Sequence, residues 1–182
     1  MKFATKQFMD KLGRKVYLRN AEESDAAALI DYLRITTAET PYLSREPEEV
    51  TITLEQEKSF ILRAKDAERE LLLIAEIDGK HIGNCSLMNI TPCKRYAHRC
   101  GLAIALYQEY CGCGIGKVMM QTVLDVARSI GYEQAELEVV SDNKNAIALY
   151  KNLGFEKYGT FPNYMKYSDG TYASADWMMK KL

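Results

Sequence analysis

The sequence predicts a single-domain α/β fold: a mixed, mostly antiparallel sheet flanked by helices. Three observations predict it. Short strand-like runs and segments with apolar residues every three or four positions succeed one another along the chain. Glu70 to Leu106 reads as a meander of strands joined by short turns. A glycine-rich bend, Cys111-Gly112-Cys113-Gly114-Ile115-Gly116-Lys117, then carries the chain from a strand into a strong helix.

The elements follow in order. Residues 1–14 read as an N-terminal arm that Phe3, Phe8 and Leu12 could dock, and residues 15–182 as the domain. Lys15 to Arg19 is a short strand. Ser24 opens a helix to about Thr37, with Ala26, Leu29, Ile30 and Leu33 as its apolar stripe. A loop with the acidic run Glu46-Pro47-Glu48-Glu49 follows, and such a run is more often solvated than functional. Thr53 and Gln56 form a capping box for a second helix whose buried face is Leu54, Phe60, Ile61 and Ala64. Strands over Glu70 to Ile77 and Lys80 to Ile90 flank an Asp78-Gly79 hairpin turn. Arg95 to Leu106 is the next strand. Past the bend, the periodic run from Ile115 to Ile130 is a helix ended by Gly131. Gln134 to Val140 is a strand with Ala135, Leu137 and Val139 on one face and Glu136 and Glu138 on the other. A helix follows, with Ser141 or Asp142 suited to its N-cap and Gly154 to its end. Two strands joined at Ser168-Asp169-Gly170 close the chain.

Composition bounds the function. The 182 residues are 47% hydrophobic and 27% charged, with net charge −1, so no basic excess points to nucleic acid or an anionic membrane. No apolar run reaches spanning length, and the lysine-bearing N-terminus lacks a signal-peptide core, so the cytoplasm is the expected location. Five cysteines, Cys85, Cys93, Cys100, Cys111 and Cys113, suit a reducing compartment. Their spacing does not make a zinc knuckle, so no metal is expected. Homodimerisation stays open.

The bend is the chemical signal. Glycines remove side chains where strand turns into helix, and the first N–H groups of the helix point into that space with the positive end of its dipole. This is a phosphate cradle of a kind distinct from the P-loop and the dinucleotide fingerprint. The later run Asn143-Lys144-Asn145-Ala146-Ile147-Ala148-Leu149-Tyr150-Lys151-Asn152-Leu153-Gly154-Phe155 completes a pattern. Gly114 and Gly116, followed by Asn143, Ala146, Ile147, Leu149, Tyr150, Gly154 and Phe155, resemble the signature of the GNAT superfamily of acetyl-CoA-dependent N-acetyltransferases. The resemblance is strongest over about residues 97–155. Cys111 departs from it, standing where that family usually has Gln or Arg.

The resemblance implies a GNAT-like fold and acetyl-CoA as cosubstrate. Its diphosphate would sit on Gly112, Cys113, Gly114, Ile115, Gly116 and Lys117, beside Cys111. Its pantetheine arm would pair with the strand backbone at Ile104 and Leu106, with Asn143 and Ala146 completing the set. Tyr150 would protonate the leaving thiolate. A phenol near ~10 faces a thiol near ~8.5, so its surroundings must close a gap of about 2 kcal/mol. The acceptor would be a primary amine attacking directly, on a small molecule in preference to a protein. The general base stays unassigned among His98, Glu76 and Glu138, because Cys100 occupies the position where several relatives carry a glutamate. The alternative is a non-catalytic acyl-CoA sensor.

Overall fold

The computed structural model describes residues 1–182. Its strands are β1 (Lys6–Met9), β2 (Lys15–Asn20), β3 (Leu71–Ile77), β4 (Lys80–Asn89), β5 (Arg99–Leu106), β6 (Gln134–Val140), β7 (Glu156–Lys166) and β8 (Tyr172–Lys181). Its helices are α1 (Ala26–Glu39), α2 (Leu54–Asp66), α3 (Ile115–Ser129) and α4 (Lys144–Asn152). The eight strands are hydrogen-bonded in the order β1-β2-β3-β4-β5-β6-β8-β7. The β5–β6 pair is parallel, whereas β1–β2, β2–β3, β3–β4, β6–β8 and β7–β8 are antiparallel. This is the mixed, mostly antiparallel α/β architecture expected from the sequence. No helix is long and apolar enough to cross a membrane.

Two compact units divide the chain, residues 1–88 with 103–123, and residues 89–102 with 124–182. In the first, Leu72 and Ile74 of β3 pack with Ala21, Ala26, Leu29, Ile61 and Ala64 in one buried cluster. Leu71, Leu73 and Ala75 are buried on the opposite face, so β3 is apolar from Leu71 to Ala75, as a strand covered on both sides must be. Each such Leu or Ile contributes about 1.5–3 kcal/mol on burial. The Asp78-Gly79 turn has φ of 50° and 77°, the left-handed pair that a two-residue hairpin requires.

Several expectations are corrected here. The segment expected as an arm contains β1, an edge strand in register with β2 (Lys6 opposite Leu18, Phe8 opposite Val16). Three of its four side chains are exposed, which erases the alternation that marks a half-buried strand, and Leu12 stands in solvent. A 3-10 turn over Glu23–Asp25 precedes α1. The α2 capping box forms, with Gln56 N–H donating to Thr53 Oγ1 at 3.2 Å and Thr53 N–H to Gln56 Oε1 at 2.9 Å. Ile61 and Ala64 are buried as expected, but Leu54 and Phe60 are exposed and the carboxylate residue Glu57 is buried instead.

In the second unit, β5 starts at Arg99 rather than Arg95. Lys94–Tyr96 curls into a 3-10 turn, with Tyr96 N–H on Cys93 O at 2.9 Å. Only Arg99, Cys100 and Gly101 pair with β6. Glu136, expected on a polar face, is buried because Arg99 grips both carboxylate oxygens. The N-cap of α4 is Asn143, whose Oδ1 accepts Ala146 N–H at 3.1 Å. Ser141 instead donates to Asp176 Oδ1 at 2.7 Å. Removing the α2 cap with Thr53→Ala should lower unfolding free energy by about 1 kcal/mol, read by urea denaturation.

Candidate active site

The bend between β5 and α3 is held open by glycine geometry. Gly112 and Gly114 have φ of 78° and 87°, which an L side chain adopts only under strain. Cys111 N–H turns back onto Gln108 O at 3.1 Å, and Val118 N–H onto Gly114 O at 3.4 Å. Between them, the N–H groups of Gly112, Cys113, Gly114, Ile115, Gly116 and Lys117 have no acceptor in the chain. The first turn of α3 carries no acidic residue, so the positive end of the helix dipole is uncompensated. Ile115 is fully buried and anchors the helix start. Glu39 of α1 accepts Gln108 N–H at 2.8 Å and steadies the approach to the bend. Such an arrangement holds anions.

Strand β5 outruns its parallel partner. After Gly101 the rungs with β6 stop, yet β5 continues to Leu106. Ala103 is exposed and Ile104, Ala105 and Leu106 are half-buried, unusual for a strand in the middle of a sheet. Gly83 of β4 sets how closely β5 approaches. A Cβ there would lie 2.4 Å from Leu106 Cδ2 and 2.7 Å from Ala105 O. Sequence reasoning missed Gly83, because a glycine inside a strand reveals a close approach only once its neighbour is known.

A cavity of about 860 Å³ opens beside α2, lined by α1 (Leu29, Leu33), α2 (Glu57, Phe60), Arg45, Glu49 and the β4 pair Asn84 and Ser86. Phe60 is exposed because it forms part of this wall, which explains its departure from the expected core. Glu57 is only 6% exposed, and burial raises its pKa against the lowering effect of Arg45. Glu49 lines the cavity and also accepts Glu46 N–H at 2.8 Å, so the acidic run has a local structural task as well.

In the other unit, Tyr150 is 7% exposed and meets Phe155 edge-on at 6.0 Å between ring centroids. Its hydroxyl has no hydrogen-bond partner in the chain. Burial pushes its pKa up to about 12. The site was expected to close the proton-transfer gap; burial of the phenol widens it, because a phenolate loses more solvation than a phenol. Asn143 commits Oδ1 to the helix cap and keeps its amide donors. Ala146, half-buried, donates to that cap.

The base candidates are placed as follows. Glu76 is engaged by Arg19 at 2.9 Å. Glu138 accepts the Tyr164 hydroxyl. His98 lies outside β5, and its carbonyl accepts Glu133 N–H at 2.9 Å. Cys100 is fully buried, with its thiol on Gln134 O at 3.4 Å. Cys93 and Cys111 are exposed and Cys113 is half-exposed. No group of histidine, cysteine and carboxylate side chains gathers in a metal-binding geometry. Gly83→Ala should force β5 to shift, costing about 1–3 kcal/mol of stability and weakening coenzyme A binding, measured by thermal unfolding and calorimetric titration.

The comparisons with known proteins give the family and the fold. The model of the acetyltransferase (GNAT) family matches residues 30–155. An N-alpha-acetyltransferase of the archaeon Sulfurisphaera tokodaii is 26% identical over 171 residues, 88% of this chain and 90% of that protein. The chain spans about half the length of the longer animal N-acetyltransferases that it matches. Among solved structures, a GNAT-family acetyltransferase of Streptococcus pneumoniae superposes with TM-score 0.87 at 24% identity, over 92% of this chain and 99% of that one. A GNAT phosphinothricin acetyltransferase of Sinorhizobium meliloti, solved with acetyl-CoA, superposes with TM-score 0.80 at 20% identity, over 92% of this chain and 88% of that one. The chain belongs to the acetyltransferase (GNAT) family, acyltransferases whose cosubstrate is acetyl-CoA.

Proposed function

We propose that this N-acetyltransferase moves the acetyl group of acetyl-CoA to a primary amine of a small molecule by direct attack. The carrying observation is the run of unbonded amides from Gly112 to Lys117, a ready ligand for the coenzyme's diphosphate. The end of β5 past its last rung with β6, where Ile104 and Leu106 are only half-buried, supports pairing with the pantetheine arm, and Asn143 keeps its amide donors. The cavity beside α2 has the size of a small-molecule site. Glu57, whose carboxylate has no hydrogen bond or ion pair in the chain, would attract a cationic amine and take up a proton released on its way to attack.

Tyr150 is the group we assign to the leaving sulfur. The nitrogen lone pair forms the new N–C bond, the C–S bond breaks, the phenol passes its proton to the sulfur, and the proton that the nitrogen sheds after attack returns through solvent to restore the phenol. With the phenol at about 12 and a free thiol near ~8.5, the transfer is uphill by roughly 5 kcal/mol. A sulfur leaving into the same dry surroundings would have its own affinity for a proton raised, which offsets the mismatch. The high value also keeps the phenol protonated past the pH, about 10.4, at which aliphatic amines become neutral. An acetyl-cysteine route fits poorly: desolvation and the Glu39 carboxylate hold the Cys111 thiol above its usual range, and both loop cysteines flank the diphosphate position.

A second reading, a protein α-amine as acceptor, is favoured by the archaeal relative, an N-alpha-acetyltransferase. A panel of polyamines, amino acids and peptide N-termini, scored for acetylated product by mass spectrometry, separates the two. Acetylation of peptides alone removes the small-molecule reading. Coenzyme binding with no product on any amine returns the chain to the acyl-CoA sensor. Tyr150→Phe should lower kcat by about 10²–10⁴-fold with little change in coenzyme affinity. Because its folded pKa lies near 12, loss of Tyr150's proton contributes no decline in rate below about pH 11. A Tyr150→Phe pH profile lacking an alkaline limb that the wild type shows would overturn that. Glu57→Gln should raise KM for cationic amines several-fold while leaving KM for acetyl-CoA unchanged.

A further inference from the structure

The β1–β2 turn reaches the coenzyme bend. Asp10 builds this turn: its Oδ1 accepts Leu12 N–H and Arg14 N–H, each at 2.9 Å, and its Oδ2 accepts Arg14 Nε at 2.8 Å. The turn docks by one main-chain bond, Lys11 N–H to Cys113 O at 2.9 Å. The aliphatic stem of Lys11 then lies along Gly114, where a Cβ would come within 3.3 Å of Lys11 Cγ and 3.5 Å of Cε. The guanidinium of Arg14 sits 4.9 Å above the centre of the Tyr110 ring.

The cations around the bend differ in what they have left to offer. Arg14 is held by Asp10, Lys6 donates to Thr122 Oγ1 at 2.9 Å, and Lys80 pairs with Glu109 at 3.0 Å. Lys11 is different. Its stem is fixed over the glycine loop, and its ammonium has neither a hydrogen bond nor an ion pair in the chain. It therefore brings a full positive charge to the edge of a run of unbonded amides.

The geometry points to Lys11 as a phosphate ligand of the coenzyme, delivered to the Gly112–Lys117 bend by the N-terminal hairpin. This rests on the diphosphate reading of the bend given above. The bare amides supply direction, and the ammonium supplies charge that backbone dipoles lack. A Cβ at Gly114 would crowd the lysine stem by a few tenths of an ångström, in addition to the strain that its φ of 87° imposes on any side chain.

The test is calorimetric titration of coenzyme A, dephospho-coenzyme A and pantetheine into the wild type, Lys11→Met and Lys11→Arg. Methionine keeps an unbranched apolar stem and removes the charge. Lys11→Met should weaken coenzyme A about tenfold or more and flatten the salt dependence of binding, while pantetheine binding stays unchanged. Lys11→Arg should recover most of the loss. Equal loss with dephospho-coenzyme A places the contact on the diphosphate; a loss confined to coenzyme A places it on the 3′-phosphate. Wild-type affinity for coenzyme A in Lys11→Met overturns the proposal. So does an equal weakening of pantetheine, which would mean that the substitution disturbs the fold. A wild type that binds no coenzyme A at all would instead sink the diphosphate reading of the bend.

Discussion

The constraint on which the rest depends is that a stretch of backbone at the bend must keep its donors to itself. Amides without acceptors are normally avoided, because a protein interior offers them no replacement for water. Here the neighbouring chain is arranged so that they stay available. Gly112 and Gly114 adopt φ values that turn the peptide planes outward, and Ile115 plugs the core just behind them. The carbonyl side of the same loop is satisfied elsewhere, Cys113 O by Lys11 N–H and Gly114 O by Val118 N–H. Two of its acceptors are tied down while its donors are left free, which biases the loop toward one sign of polarity.

The surrounding elements follow from that requirement. Tyr110 is buried at the end of the preceding turn and carries the Arg14 guanidinium over its face. Glu39, at the last residue of α1, fixes Gln108 from the other side. Gly83 lets β4 and β5 come close enough for Tyr107 N–H to reach Ile82 O at 3.1 Å. A loop that must stay open is thus stiffened by contacts through its flanks, a preorganisation that spares the ligand the cost of ordering it.

What was legible in the sequence is what local physics writes there. The Thr53–Gln56 box, the Asp78-Gly79 turn and Gly131 and Gly154 past their helix ends all depend on residues within a few positions of one another. The glycine bend belongs to the same class. What was not legible depends on distant partners. Strand β1 is an edge strand with almost no buried side chain, so no periodicity announces it. Glu57 looks like any solvated helix glutamate until the cavity wall closes around it. Lys11 sits about a hundred residues from the loop it touches, and Gly83 is ordinary until Leu106 lies against it. Asn143 shows the limit differently. Its residue type suits a cap and a ligand contact equally well, and both uses draw on different atoms of one amide.

The accessible sulfurs have a practical consequence for the bench. Cys111 is exposed and Cys113 half-exposed in the glycine-rich bend, and Cys93 is open as well. Colorimetric reagents that score liberated coenzyme by its sulfhydryl would also titrate the enzyme. A disulfide-forming dye attached at the loop would obstruct its unbonded amides. Progress curves collected that way would bend downward as the catalyst was derivatised, imitating product inhibition.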